Sequence, residues 1–217
     1  MNSSMNMDFN KNPLNTLLFV LPFIFLFATC KKNKGECIGN AYSLKETWNV
    51  LPQRDSINIG DTLIFSSSFS NNPFDYKTNT NVDFSGNAVI GTSFSIRIVK
   101  GFGDLRPSID SFTLFSLEGT MKANDISPNQ IKDIRWIEYN NFYSSKIGII
   151  AKRKGDYCIT VSDAFGRLNK TNECESGAGI YLSNKSVKNN AYLLRPYYSL
   201  PNVPADDSAH IFCIRVK

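Results

Sequence analysis

The fold class of this chain is decided by the stretch Gly155–Gly166, which reads GDYCITVSDAFG. Three large apolar residues, Tyr157, Ile159 and Val161, occupy alternate positions along it. A period of two places alternate side chains on one face of a β-strand, and Asp163 begins a turn that the final glycine closes. The stretch therefore predicts a strand with one buried face that ends in a turn.

The same stretch resembles the penultimate strand of immunoglobulin-like and PKD-like domains, which read Gly-x-Tyr-x-hydrophobic-x-hydrophobic-x-Asp-x-x-Gly. The resemblance implies a β-sandwich in which the Tyr157 hydroxyl reaches backbone near a corner of the chain. Immunoglobulin domains place a cysteine two residues after this tyrosine, on the core face, whereas Cys158 follows it directly and lies on the opposite face. Cys158 therefore cannot form their inter-sheet disulfide. A generic buried strand with a turn accounts for the same residues almost equally well.

Alternating apolar residues elsewhere predict one all-β domain over residues 41–217. Phe112–Leu117 is apolar on both faces, which is typical of a central strand covered on both sides. Pro52 cannot donate to a strand ladder, so the preceding segment is predicted to lie at a sheet edge. The predicted strands are Thr47–Leu51, Ile57–Ile59, Leu63–Phe69, Ile90–Ile98, Phe112–Leu117, Ile134–Ala151, Tyr157–Val161 and Ile211–Val216.

We therefore expect an immunoglobulin-like β-sandwich with long loops, over residues 71–87 and within 164–207, and one or two short helices. The run SPNQ from Ser127 offers an N-cap serine, a proline at the first helical position and a glutamine at the capping-box position. A short helix is predicted to begin there and to end by Ile134. A further helical turn or two is expected around Val187–Leu194.

The segment Ile134–Ala151 predicts a β-hairpin that turns at Asn140 and Asn141, because asparagine tolerates the positive φ of a two-residue turn. Pairing Tyr139 with Phe142 sets the register of the two strands. One face then carries Ile134, Trp136, Ile147 and Ile149, which we assign to the core. The opposite face carries Arg135, Tyr139, Phe142 and Lys146.

These last four residues form the predicted ligand-binding patch. Exposed paired aromatic rings beside hydrogen-bond donors are anchors that sugar rings, peptides and protein partners use. In the alternative interpretation, another strand or the segment 164–207 covers this face, and Tyr139 and Phe142 are ordinary core residues.

Near the start of the chain lies an apolar run, Pro13–Cys30, with no charged residue between Lys11 and Lys31. A spanning helix needs about 20 apolar residues, and this run is shorter. Lysines follow it, and positive-inside reasoning would then keep the body of the protein in the cytoplasm. A signal peptide that is cleaved after residue 29 removes that conflict.

The end of the run resembles the lipobox of Bacteroidetes-type bacterial lipoproteins, with Phe27 where leucine is commoner and Thr29 where glycine, alanine or serine is commoner. The resemblance implies that Cys30 bears the lipid, that residues 30–40 form a tether, and that the protein is exported and anchored to the bacterial envelope. The expected location is the outer membrane, facing the periplasm or the surface. An ordinary secretory signal or an uncleaved anchor is the alternative.

Four further cysteines, Cys37, Cys158, Cys174 and Cys213, predict two disulfides in an exported chain. Cys213 points away from the core like Cys158, so each meets a loop or terminal cysteine, or the two meet across neighbouring strands. We favour Cys158 with Cys174 and Cys37 with Cys213. A zinc site is a poor alternative, because no two cysteines stand at metal-ligand spacing and His210 is the one histidine.

The size, net charge and motifs of the chain limit the functions that we expect for it. Without residues 1–29 the chain keeps 188 of its 217 residues, enough for a domain with its own core. The net charge of +5 is scattered, so nucleic acid is not an expected partner. The sequence has no Gly-x-Ser-x-Gly elbow, phosphate-cradling loop or His-Glu-x-x-His motif. We therefore expect no catalytic residues, metal or cofactor.

The leading functional hypothesis is a non-catalytic binding or accessory module of the cell envelope, with a glycan or an envelope protein as partner. One alternative is a hydrolase with a minimal pair of carboxylates, which scattered acidic residues can supply. The other is a purely structural envelope lipoprotein.

Overall fold

The computed structural model describes residues 41–86, 88–102, 104–168, 176–185, 190–194 and 210–217. The predicted signal peptide, the tether, Cys30, Cys37 and Cys174 lie outside these ranges. Within them no helix is both long and apolar enough to span a bilayer.

Strands make up most of the described residues, and the helical parts are two short 3-10 helices, Ile109–Ser111 and Ala191–Leu194. The second confirms the helical turn expected near Leu194. The strands are β1 (Ala41–Leu51), β2 (Ser56–Ile57), β3 (Thr62–Ser70), β4 (Phe74–Asp75), β5 (Thr80–Asn81), β6 (Ala88–Gly101), β7 (Asp104–Pro107), β8 (Phe112–Glu118), β9 (Thr120–Ala123), β10 (Ile131–Arg135), β11 (Ile137–Tyr139), β12 (Phe142–Ala151), β13 (Gly155–Val161), β14 (Ala164–Leu168), β15 (Ser176–Asn184) and β16 (Ile211–Val216).

The strands form an immunoglobulin-like β-sandwich. The order along the hydrogen-bonded ladder is β11-β12-β3-β1-β15-β14-β6-β13-β16-β2. In this order β14 and β13 pair with one edge of β6, and β10 and β7 pair with its opposite edge. Strand β9 pairs with β10, and β8 pairs with β12. The pairs β1–β15 and β16–β2 are parallel, and the other described pairs are antiparallel.

The core lies between strands that are distant along this ladder and face each other across the sandwich. The Phe65 ring of β3 lies 5.2 Å from the Phe94 ring of β6 and 6.2 Å from the Phe212 ring of β16. The Phe112 ring of β8 lies 4.9 Å from the Tyr157 ring of β13. Edge-to-face geometry with centroids at these distances is the favoured arrangement of aromatic pairs.

Strand β13 confirms the prediction made from its sequence. Tyr157, Ile159 and Val161 are buried in the main core. The Tyr157 hydroxyl donates to Arg153 O at 3.0 Å, which fixes the corner before the strand. Cys158 lies on the opposite face, in a separate small apolar cluster.

The prediction for Phe112–Leu117 is wrong, and the one for Thr47–Leu51 covers only the end of a longer strand. Strand β1 begins at Ala41 and pairs with β15 through Trp48, and its end, Trp48–Leu51, pairs with β3. Phe112–Leu117 belongs to β8, which pairs with β12 at the sheet margin and is mostly exposed beyond Phe112. Apolar content alone could not distinguish these environments, because partner strands are set by distant parts of the chain.

The helix predicted at Ser127 is also wrong, because the chain makes a single turn there. Gln130 N and Ile131 N both donate to Ser127 O, at 3.0 and 2.9 Å, and the next residues enter strand β10. Asn124 Oδ1 accepts from Ser127 N at 3.0 Å, so an asparagine side chain holds the turn. Pairing of β10 with β6 and β9 therefore overrides the local helical signal.

The loop predicted over residues 71–87 contains the short β4–β5 hairpin, which Asp75 fastens to β1. The Asp75 carboxylate is fully buried and accepts hydrogen bonds from Ser43 N at 2.7 Å, Lys77 N at 3.1 Å and Thr78 N at 3.0 Å. Burial opposes the charge, but these bonds and one from the Thr78 hydroxyl prevail and lower the pKa of Asp75 to about 2. The loop is therefore ordered by a charge-assisted network.

Gly119 is where the chain passes from one layer of the sandwich to the other. Strand β8 before it pairs with β12, and strand β9 after it pairs with β10. Gly119 has φ +78, and a Cβ at this position would overlap the backbone oxygen of Arg135. The crossing therefore requires a residue without a side chain.

We predict that Gly119→Ala lowers the free energy of unfolding by about 3 kcal/mol or more, because it adds a backbone clash to positive-φ strain. Gly86→Ala is the matched control, since Gly86 has φ +72 but open space around its Cβ position. It should cost about 1 kcal/mol. Urea unfolding of both variants measures the difference, and equal losses would contradict the clash.

Glu46 lies on the inward face of β1, between the buried Leu44 and Trp48. Burial disfavours the carboxylate and raises the pKa of Glu46 from 4.5 to about 7. A raised folded-state pKa means that the contribution of Glu46 to stability is largest where Glu46 is protonated in both states, below pH 4.5. That stability is lost as the pH rises from 4.5 through 7.

We predict that Glu46→Gln flattens this decline and makes the protein more stable than wild type at pH 8, but not at pH 4. An unscreened shift of this size would correspond to about 3 kcal/mol. Because Glu46 is partly exposed, we expect about 1 kcal/mol. Urea unfolding between pH 4 and pH 8 measures the effect. Parallel curves for the two proteins would contradict the assignment.

Candidate binding face at the Asn140-Asn141 hairpin

The β11–β12 hairpin turns where the sequence predicts it. Asn140 and Asn141 have φ values of 49° and 66°, and Tyr139 pairs directly with Phe142. Both angles are those of a type I′ turn, whose twist matches that of the flanking strands. The hairpin is shorter than predicted, because its first strand begins at Ile137.

Three neighbouring apolar side chains on the outer face of this hairpin are exposed. The exposed fraction is 71% for Tyr139, 51% for Phe142 and 43% for Ile137. Trp136, in contrast, is 7% exposed and belongs to the core, as predicted. The residues that the structure describes leave both rings uncovered, which argues against the alternative in which another strand makes them core residues.

Serine residues continue the same outer face. Ser144 of β12 pairs with Ile137 on one side and with Ser68 of β3 on the other. Ser70 of β3 pairs with Phe142. We call these six residues the aromatic–serine face: Ile137, Tyr139, Phe142, Ser144, Ser68 and Ser70. None of the six carries a charge. The serines could have been found from the sequence, because Leu63, Phe65 and Phe69 of β3 alternate with them.

Polar anchors beneath the hairpin hold its tip. The Glu138 carboxylate accepts from Asn71 Nδ2 at 2.8 Å and from Gly86 N at 2.7 Å. The hydrogen bond from Asn71, with those from Gly86 and Tyr143, outweighs burial and lowers the pKa of Glu138. Asn71 N also donates to Asn141 O at 2.8 Å. The tip is thereby tied to the segment that follows β3.

Tyr143, near the start of β12, connects this strand to the loop that contains Phe84. Its side chain is 2% exposed, and its hydroxyl donates to Phe84 O at 2.7 Å. Burial and the nearby charge of Glu138 raise the pKa of Tyr143 to about 12, so the hydroxyl stays protonated as a donor. Hydrogen bonds on the buried side of the hairpin therefore fix the backbone of the aromatic–serine face at several points.

The two basic residues of the predicted patch are placed differently. Lys146 lies on the outer face of β12, four residues or about 14 Å from Phe142, and its Nζ is 3.9 Å from Glu118 Oε1. Arg135 belongs to β10, which pairs with β6 and β9 instead of β12. The buried Trp136 interrupts the predicted continuous strand, so the hairpin ladder does not bring Arg135 beside Tyr139.

The described residues outside the hairpin include a histidine and a surface cavity. His210 Nε2 lies 3.8 Å from Asp163 Oδ1, and its ring packs edge-on against Tyr181. A surface cavity against β5 is lined by Ala41, Tyr42, Lys77, Thr78, Thr80, Asn81, Val82 and Asp83. Among the residues that the structure describes, no cluster of three or more His, Cys, Asp or Glu side chains could hold a metal ion.

The structure describes two of the four cysteines for which disulfides are predicted. Cys158 and Cys213 are both buried with free thiols, and they oppose each other in the β13–β16 ladder. Cys37 and Cys174 lie outside the described residues, so the favoured pairing through them stays a prediction.

Comparison with known proteins finds only distant structural similarity. No family model matches the sequence, and no curated protein matches it. A cohesin module of a Clostridium perfringens family 33 glycoside hydrolase has 9% identity and a TM-score of 0.32, covering 65% of this chain and 99% of that module. The reeler domain of human F-spondin has 8% identity and a TM-score of 0.33, covering 73% and 95%. A type II cohesin of the Acetivibrio cellulolyticus scaffoldin ScaA has 7% identity and a TM-score of 0.32, covering 64% and 92%.

Proposed function

We propose that this protein is an exported, lipid-anchored, non-catalytic binding module of the bacterial envelope, and that the aromatic–serine face is its binding surface. The observation that carries the proposal is the exposure of Tyr139 and Phe142, side by side on a hairpin whose backbone is held from below. Anchoring through Cys30 at the outer membrane rests on the apolar run and the lipobox-like sequence.

The chemistry of the face favours an uncharged ligand. Three apolar side chains stand beside three serine hydroxyls, and all six lack charge. Aromatic rings pack on the apolar faces of sugar rings, and hydroxyl groups exchange hydrogen bonds with sugar hydroxyls. A neutral polysaccharide is therefore the preferred ligand. A protein partner would use the same two rings as buried anchors.

The alternatives predict different features. A hydrolase with a minimal site would need two carboxylates that face each other across a cleft. Glu138 and Asp75 each accept several hydrogen bonds from neighbouring groups instead, and Asp83 is the one carboxylate of the cavity against β5. A structural role without a ligand would leave the exposed pair of rings unexplained.

We predict that the double substitution Tyr139→Ala with Phe142→Ala weakens retention on immobilised neutral polysaccharides by about 30-fold or more, because each ring supplies anchor energy. The free energy of unfolding should change by about 0.5 kcal/mol or less, since both side chains are exposed. Affinity electrophoresis against a series of neutral glycans measures the first quantity, and urea unfolding measures the second.

A matched control for this experiment is Phe74→Ala with Tyr76→Ala. These rings are also exposed and lie 5.1 Å apart on another part of the surface, so their loss should leave glycan retention unchanged. Wild-type protein that is retained by no neutral polysaccharide would exclude the glycan as ligand. A loss of several kcal/mol in the first double variant would show that its rings are core residues.

The anchoring has its own test. Cells that express the chain and are fed labelled palmitate should incorporate label into the wild-type protein and into Cys37→Ala, but not into Cys30→Ala. The expected loss follows because the thiol of Cys30 is the predicted site of lipid attachment. Unchanged labelling of Cys30→Ala would refute lipidation at this residue.

A further inference from the structure

Strands β13 and β16 place two cysteines directly opposite each other. Cys158 pairs with Cys213 in the register of this antiparallel ladder. The side chains are 5% and 1% exposed, and both lie on the face of the sheet that points away from the main core.

The phase of the ladder determines how close the two cysteines stand. Val161 N donates to His210 O at 3.0 Å. These two residues are opposite each other when the β13–β16 pairing is continued by one step beyond Thr160 and Ile211. Opposed residues alternate between hydrogen-bonded and non-hydrogen-bonded pairs. Val161–His210 is therefore a hydrogen-bonded pair, and Cys158–Cys213, three steps along, is a non-hydrogen-bonded one.

This phase suits a covalent link. The Cα atoms of a non-hydrogen-bonded antiparallel pair are about 4.5 Å apart, with their side chains on the same face. Disulfides usually join residues with Cα separations of about 4.4 to 6.8 Å. The backbone already meets this requirement, so bond formation between Cys158 and Cys213 needs no strand displacement.

The two thiols also share an apolar pocket. Val99 of β6 and Leu193 and Leu194 of the second 3-10 helix complete their cluster. Asn190, just before that helix, accepts from Leu193 N at 3.0 Å and donates from Nδ2 to Arg54 O at 2.7 Å. The hydrogen bond between the thiols, together with burial, raises the pKa of Cys213. Very little of the Cys213 thiol is therefore present as the reactive thiolate in the folded, reduced protein.

In place of the pairing favoured from the sequence, we propose that Cys158 and Cys213 form a cross-strand disulfide in the mature protein, introduced as the chain folds by a disulfide-bearing oxidant such as a thiol–disulfide oxidoreductase or oxidised glutathione. One cysteine thiolate attacks the oxidant's disulfide and forms a mixed disulfide, releasing one oxidant thiolate. The second cysteine thiolate displaces the remaining oxidant sulfur. Two protons and two electrons leave the protein, and the oxidant ends as two thiols.

The disulfide fastens the last strand of the domain. Strand β16 pairs with β13 along its length but meets the two-residue strand β2 only at Arg215 and Val216. A link from Cys158 to Cys213 closes a loop across the intervening chain and reduces the conformational freedom of the unfolded state. For a loop of this length in a domain of this size, the melting temperature should rise by about 10 °C.

The test is disulfide mapping of the full chain, denatured and reduced, then refolded in detergent with a mixture of oxidised and reduced glutathione. Free thiols are blocked with N-ethylmaleimide before non-reducing digestion and mass spectrometry. The expected result is a peptide pair joined through Cys158 and Cys213, both in wild type and in Cys37→Ser with Cys174→Ser. Dithiothreitol should lower the melting temperature of both proteins by about 10 °C.

Two results would overturn the proposal: alkylated Cys158 and Cys213 after oxidative refolding, or Cys158 joined to Cys174. The Cys158→Ala variant is the control, since its melting temperature should not respond to dithiothreitol at this site. Peptide mapping does not depend on this variant, so the proposal can be decided even if Cys158→Ala folds poorly.

Discussion

The sandwich depends on the backbone of β6, a strand of 14 residues that pairs with four others. Along one edge it pairs with β14 and then β13, and along the other with β10 and then β7. On its inward face, Ile90, Phe94 and Ile96 are fully buried. Because one strand supplies hydrogen bonds to both flanks, the positions of four neighbouring segments follow from its register.

The position of the β11–β12 hairpin also depends on β6. Trp136 N donates to Ile90 O at 3.1 Å, directly after β10 has paired with β6. The buried indole ends that pairing, and the next three residues pair with β12 in the opposite layer. The exposure of Tyr139 and Phe142 is thus a consequence of the chain changing layers at Trp136, which leaves the outer face of β11 uncovered.

Local patterns in the sequence predict which face of a strand is buried, and they did so for β6, β13, β16 and the Asn140-Asn141 turn. Each of these features depends on neighbours within a few residues. The interior position of β1 depends on β15, more than 130 residues away, and no local pattern encodes that pairing. The same limit explains Arg135 and Ser127: both were assigned from nearby residues, and both are placed by the pairing of β10 with distant strands.

An isolated two-stranded hairpin is marginally stable in water, and ordering it on binding would reduce the affinity gained from any contact. Here the tip is ordered beforehand. Asn71 bonds to the turn at Asn141 and to the Glu138 carboxylate, and Tyr143 bonds to the loop at Phe84. Burial of Glu138 opposes its charge, yet its donors are sufficient to keep it ionised. A surface anchored in this way presents its rings without an ordering cost on binding.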